Sequence, residues 1–270
     1  MVLLLSATAG LANLANANPD NSTMPMITMP EEEVNYTITR VNGTLWAKID
    51  GTYPLRILTE ADGAPSCVPS ELPMVYPTPP GTVNMRVKVD GTELAWDYWP
   101  QEDTHHTAIG DWSMIYCVIA PVSERFTLEV HYEHPLERVN GSYLFLYDLN
   151  ISPYLSSWSP NSTAYFTIRF DTEVTDLRAY TTETDAVWNP INYTVAQDDN
   201  GEVVAIQMYS DYSKPLLGDL VVMFSDGEVP EFPVWIVPAL FMVVALVAVL
   251  GYKKFVSGLK SKNQCVPSLK

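Results

Sequence analysis

The sequence predicts an all-β ectodomain, built as one or two β-sandwich domains, followed by one C-terminal transmembrane α-helix. Three observations carry this. Between Val34 and Phe224 apolar and polar residues alternate with period two, the mark of half-buried strands. The alternating runs are broken by Asn-Gly and Asp-Gly pairs, which suit two-residue hairpin turns. Residues 232–252 then form 21 uncharged, mostly apolar residues, enough for one crossing of a bilayer.

The apolar run sets the topology. Trp235 and Tyr252 sit near its ends, where amphipathic rings prefer the headgroup region. Lys253 and Lys254 follow at once, and basic flanks stay on the cytoplasmic side, so everything before residue 232 is expected to face outward. Charge divides at the same place. All 32 acidic residues lie between Asp20 and Glu231, with only ten of the 15 basic residues, which leaves the outer part at −22. The other five, Lys253, Lys254, Lys260, Lys262 and Lys270, lie in the expected cytoplasmic tail, where anionic headgroups are their natural partners. An ectodomain this acidic excludes a nucleic-acid partner, because such binding rests on neutralising phosphates with Lys and Arg.

Taken in order, residues 1–17 read as a signal peptide. They are apolar and end in Ala15-Asn16-Ala17, a small-x-small cleavage site, although no Lys or Arg occurs before Arg40. Residues 18–30 hold Pro19, Pro25 and Pro30 without any period and are expected to be a linker. Strands are predicted at Val34 to Ile38 and Thr44 to Ile49, with turns at Asn42-Gly43 and Asp50-Gly51. Further strands are expected at Val83 to Val89, Thr92 to Trp96, Ser113 to Ile119, Arg125 to Tyr132 and Tyr143 to Leu149. Thr163 to Phe170, Thr175 to Thr181, Tyr193 to Gln197, Glu202 to Tyr209 and Asp219 to Phe224 complete the set. The six prolines of residues 62–82 predict a long irregular loop. Some 200 residues of strands exceed the usual domain of about 100–150, so the preferred division is a first sandwich at 31–135 and a second at 136–228, with one large sandwich as the alternative. Residues 229–231 are a stem, 232–252 the transmembrane helix and 253–270 the basic tail.

Seven of the 14 Asn residues are glycosylation sequons: Asn21, Asn35, Asn42, Asn140, Asn150, Asn161 and Asn192. Composition alone would give about two, so the excess points to covalent N-glycans on an extracytoplasmic surface. Cys67 and Cys117 both lie on the outer side, where disulfides persist, and Cys265 lies in the tail. That arithmetic predicts one Cys67–Cys117 bridge and one free thiol.

Catalytic signatures are absent: the chain has no Gly-x-Ser-x-Gly, no His-Glu-x-x-His, no phosphate loop and no dinucleotide glycine pattern. No enzymatic activity, metal or cofactor is expected. His105 and His106 could in principle join His131 and His134, but residues three apart on a strand point to opposite faces. Asp198 to Glu202 lacks the spacing of a calcium loop and reads as a hairpin tip. Trp96, Tyr98, Trp99 and Trp112 bracket a polar loop and form the candidate sugar-stacking surface, against the plainer reading that strand aromatics are core.

Val229-Pro230-Glu231-Phe232-Pro233, followed by the apolar run and two lysines, resembles the Pro-Glu-Phe type membrane anchor of archaeal surface proteins. Met29-Pro30-Glu31-Glu32 and Gly51-Thr52-Tyr53-Pro54 are similar to stretches of archaeal secreted β-sandwich proteins. The resemblance implies a cell-surface protein. In one branch of that family a transpeptidase-like enzyme removes the tail. Here 16 residues follow Lys254, so a retained anchor is expected. The resulting expectation is a membrane-anchored, glycosylated surface protein with a structural or interaction role. Its partners are membrane lipid, N-glycans and other surface proteins or glycans. The alternatives are a carbohydrate-binding module or an envelope hydrolase.

Overall fold

The computed structural model describes residues 26–64, 68–99, 105–107, 110–120, 123–184, 187–198, 201–216 and 218–226. The signal peptide, most of the linker, the stem, the span at 232–252 and the tail lie outside these residues, as do Asn21, Cys67 and Cys265. Among the described residues no helix is long and apolar enough to cross a membrane. The described residues, from Met26 to Asp226, form one compact unit.

That unit is all β. Its strands are β1 (Ile27–Thr28), β2 (Glu31–Val41), β3 (Thr44–Ile57), β4 (Leu72–Thr78), β5 (Val83–Val89), β6 (Thr92–Leu94), β7 (Trp96–Tyr98), β8 (His105–Thr107) and β9 (Gly110–Ile119). They continue as β10 (Arg125–Pro135), β11 (Glu137–Val139), β12 (Ser142–Asp148), β13 (Asn161–Phe170), β14 (Val174–Thr184), β15 (Val187–Pro190), β16 (Thr194–Asp198), β17 (Gly201–Asp211) and β18 (Asp219–Asp226). A nine-stranded sheet runs β16, β17, β13, β2, β3, β10, β5, β6, with β1 on the end of β3. A five-stranded sheet runs β11, β12, β18, β14, β15. A four-stranded sheet joins β4, β9 and β7, with β8 also on β9.

The large sheet buries one face. Along β2 the residues Glu32, Val34, Tyr36 and Ile38 are buried, and along β13 Ala164, Phe166, Ile168 and Phe170. Aromatic contacts show what covers that face. Tyr36 meets Phe145 of β12 at 4.5 Å, Phe170 meets Phe224 of β18 at 4.9 Å, and Tyr76 of β4 meets Tyr132 of β10 at 6.0 Å. Both smaller sheets therefore pack on the same side of the large one, in two layers.

Three hairpins turn where the sequence places them. Asn42-Gly43, Asp90-Gly91 and Asn140-Gly141 each have both φ positive, the backbone that matches strand twist in a two-residue turn. Asp50-Gly51 does not turn. It lies inside the 14-residue β3. The missing side chain serves the interior instead, because a Cβ on Gly51 would come within 2.8 Å of Cε2 in the Tyr53 ring. The expected loop at 62–82 contains β4. Pro73 and Pro77 share one strand parity, and β4 is an edge, so both missing N–H groups can face the side away from β9. The linker's end is also folded: β1 pairs with β3, and Met29 is fully buried.

The division into 31–135 and 136–228 is overturned. β13 pairs in parallel with β2 over eight residues, so strands from both halves share one sheet and one continuous core. The compact unit is one large sandwich.

Candidate functional site

Period two along β10 separates its two histidines. His131 faces outward, its Nδ1 2.6 Å from Asp50 Oδ1. His134 faces inward and is 6% exposed. Its Nδ1 is 3.0 Å from the Pro135 carbonyl, which can only accept, so Nδ1 carries the proton. Burial pulls the His134 pKa down to about 4, a shift that the carbonyl only partly offsets. The ring is therefore neutral at physiological pH.

His134 lines a cleft of about 390 Å³ where Pro79 and Pro80, just after β4, meet β9, β10, β11 and β12. Leu144, Phe145 and Leu146 of β12 supply an apolar wall, joined by Trp112 of β9. Trp112 is 5% exposed and packs with Leu144, Leu146 and Val221 on the far side of the five-stranded sheet. Asp111 and Glu137, both exposed, bring carboxylates to the same lining. A concave, mostly apolar site with a few polar groups is the usual form of a small-molecule site.

Beside the cleft a seam of buried tyrosines crosses the core. Tyr132 stacks on His134 at 6.0 Å and meets Tyr76 edge-on. The hydroxyls of Tyr76 and Tyr53 are 3.1 Å apart, and those of Tyr53 and Tyr147 are 3.3 Å apart. Tyr147 donates to Glu32 Oε2 at 2.7 Å. Glu32 is fully buried, and its Oε1 has no hydrogen-bond partner among the described residues. Burial pushes the Glu32 carboxyl up to about 7, with Asp148 adding in the same direction and the Tyr147 bond opposing. Burial raises all four phenols well above their ordinary range, so they stay neutral donors.

A second, shallower groove of about 320 Å³ lies on the outer face of the large sheet, among Lys48, Asp50, Arg86, Lys88, Glu129 and His131. Its charges pair along and across strands: Asp50 is 3.7 Å from Lys48 two residues back on β3, and Lys88 of β5 stands opposite Glu129 of β10. Exposed pairs of this kind are ordinary solvated sheet surface.

The sequence-nominated aromatics do not converge. Trp96 and Tyr98 lie on one face of β7, ring centroids 5.6 Å apart, with Tyr98 54% exposed. Trp99 turns to Tyr116 at 5.4 Å. Trp112 belongs to the cleft. Strand parity and the separation of β7 from the β9 end explain the dispersal. Cys117 is a free, buried thiol, its pKa pushed up to about 11 by burial. It packs in the core among apolar side chains, and Cys67, its expected bridge partner, lies outside the described residues. Of the described sequons, Asn42, Asn140, Asn161 and Asn192 are exposed, and Asn35 and Asn150 are partly so. The seam itself went unread. Its signal was the phase of β2, because Glu32 stands in step with Val34, Tyr36 and Ile38.

No family model matches this chain, and no curated protein matches it. Solved structures do. A candidate nutrient-binding protein of Legionella pneumophila is 11% identical, with a TM-score of 0.50 over 76% of this chain and 68% of that one. Leukotriene A4 hydrolase of Saccharomyces cerevisiae is 12% identical with a TM-score of 0.42, over 82% of this chain and 34% of that one. A candidate protease of Parabacteroides distasonis is 10% identical with a TM-score of 0.40, over 75% of this chain and 41% of that one. This chain thus spans about a third of the yeast hydrolase. At such identities the likeness to the Legionella protein is one of fold alone.

Proposed function

We propose that this chain is a membrane-anchored, glycosylated cell-surface protein. Its sandwich is held outward by residues 232–252, and its role is interaction rather than catalysis. The observation that carries this reading is where the sequons fall. Six of the seven lie on the compact unit, four of them at exposed positions, and none follows Asn192. The unit ends at Asp226, a short stem away from the uncharged run. A glycan acceptor must be exposed on the outer side, and that run supplies the anchor. Enzymatic deglycosylation of native protein should lower its mass by several glycans, and the chain should stay in the membrane pellet after alkaline carbonate. Unmodified Asn at every sequon, or full-length protein in the carbonate supernatant, refutes the reading.

A further inference from the structure

Asn161 opens β13, and its side chain is exposed on the outer face of the large sheet. Antiparallel pairing sets its neighbours. Asp211 of β17 stands directly opposite Asn161, and Tyr209 stands directly opposite Thr163, the residue that completes the sequon. Opposed side chains share a face, so all four belong to the outer face. Tyr209 is 56% exposed. Its hydroxyl donates to Asp211 Oδ2 at 3.5 Å, so the ring runs along β17 towards the Asn161–Asp211 pair. Asp211 is held in turn by Ser213, whose N–H and hydroxyl both donate to its Oδ1. An aromatic face therefore lies about one strand spacing, ~4.8 Å, from the acceptor strand.

A single exposed ring is ordinary on a protein surface, and its place beside an acceptor is what sets this one apart. Four other sequons have their hydroxyl residue on a paired strand. Thr37 stands opposite Lys48, Thr44 opposite Val41, Ser142 opposite Val139 and Thr194 opposite Ala205. None of those four partners is aromatic. A sugar joined to Asn161 Nδ2 brings a pyranose whose C–H face is apolar, and the Tyr209 ring offers a negative face to those C–H groups. Stacking them removes apolar area of both from water. The covalent link makes the contact intramolecular, at high effective concentration.

We propose that the first sugar of an N-glycan on Asn161 stacks on the Tyr209 ring, so that this glycan lies along the outer face of the large sheet and braces the pairing of β13 with β17. This deepens the glycosylated-surface reading above and rests on it.

The test uses the full chain, expressed in its native host and held in lipid nanodiscs, beside Asn161→Gln, an exposed substitution that removes only the acceptor. Tyrosines are nitrated with tetranitromethane, and the extent at each is read by peptide mass spectrometry. Tyr209 should react at least about fivefold more slowly in the wild type than in Asn161→Gln, because the sugar covers the ring. Tyr212, 54% exposed, should react alike in both. Urea titration supplies a second readout. Asn161→Gln should raise the unfolding constant about threefold to tenfold in the wild-type background and in Tyr209→Phe, and should leave it unchanged in Tyr209→Ala. Equal nitration of Tyr209 with and without the acceptor, an equal effect of Asn161→Gln in the wild-type and Tyr209→Ala backgrounds, or a bare Asn161 in the native protein overturns the stack. If other sequons carry glycans, any of these results overturns the stack alone and leaves the surface-protein reading standing. If every sequon is bare, both fall.

Discussion

Glu32 and Glu33 are neighbours in sequence and opposites in environment. Glu33 lies on the outer face of the large sheet, exposed, within 3.1 Å of Asn35 Nδ2. Glu32 lies on the inner face at 0% exposure, beneath the smaller sheets, with one bond from Tyr147. One step along a strand moves a carboxyl from water to a phenolic interior, because successive side chains point to opposite faces. The outer face solves its charge problem with cross-strand pairs such as Asp50 and His131. The inner face solves it by raising the cost of charge: a carboxyl that keeps its proton up to about pH 7, neutral phenols and a neutral imidazole. What separates the two regions is solvent, not composition.

Reversing the charge breaks the comparison most sharply. Glu32→Lys places an unpaired ammonium in the tyrosine seam and should cost about 3–5 kcal/mol or prevent folding. Glu33→Lys should stay within about 0.5 kcal/mol. Urea titration of the two variants side by side reads the difference.

A smaller effect is expected where the backbone makes room for the seam. Gly51→Ala puts a methyl against the Tyr53 ring and should destabilise by about 1–3 kcal/mol. Thr52→Ala, next in sequence and on the other face, should be nearly silent in the same titration. If both behave alike, the Tyr53 ring does not depend on the missing side chain.

The smallest effect belongs to the outer face. Asp50→Asn removes the partner of His131 and Lys48, yet the group is 52% exposed, so the loss should be under about 1 kcal/mol and should shrink further in 0.5 M salt. A salt-insensitive loss would show that this face is less solvated than its exposure implies.

Much of the fold was legible because the chain writes period two plainly. The Asn-Gly and Asp-Gly turns at residues 42, 90 and 140 required no tertiary information. Asp50-Gly51 misled because glycine has two uses, positive φ and close approach, and only the folded neighbour Tyr53 tells them apart. The domain boundary misled because the parallel pairing of β2 with β13 joins residues some 130 positions apart, and nothing local marks a parallel partner. The site was half legible. Trp112 was singled out by type, but its companions were chosen by nearness in sequence, whereas its true neighbours are Leu144 and Leu146 on a strand of another sheet. Glu32 was hidden inside an acidic run that reads as a solvated lead-in until its phase is compared with that of Val34 and Tyr36.

The central claim is that burial makes Glu32 hold its proton up to about pH 7, and the stability difference between the wild-type chain and Glu32→Gln tests it most directly. The folded carboxyl titrates near 7 against an ordinary value of 4.5, so the folded state holds its proton more tightly than the unfolded state does. The stabilising contribution is then complete below pH 4.5 and is lost as pH rises through 7. His134 runs the other way, losing stability as pH falls from 6.5 towards 4, but it is common to both proteins and cancels in the difference. Urea unfolding of the two proteins from pH 4 to pH 8 should show wild type losing about 3 kcal/mol relative to Glu32→Gln across that range. A difference that stays flat, or that favours wild type as pH rises, would mean that Glu32 is ionised in the fold and would contradict the account.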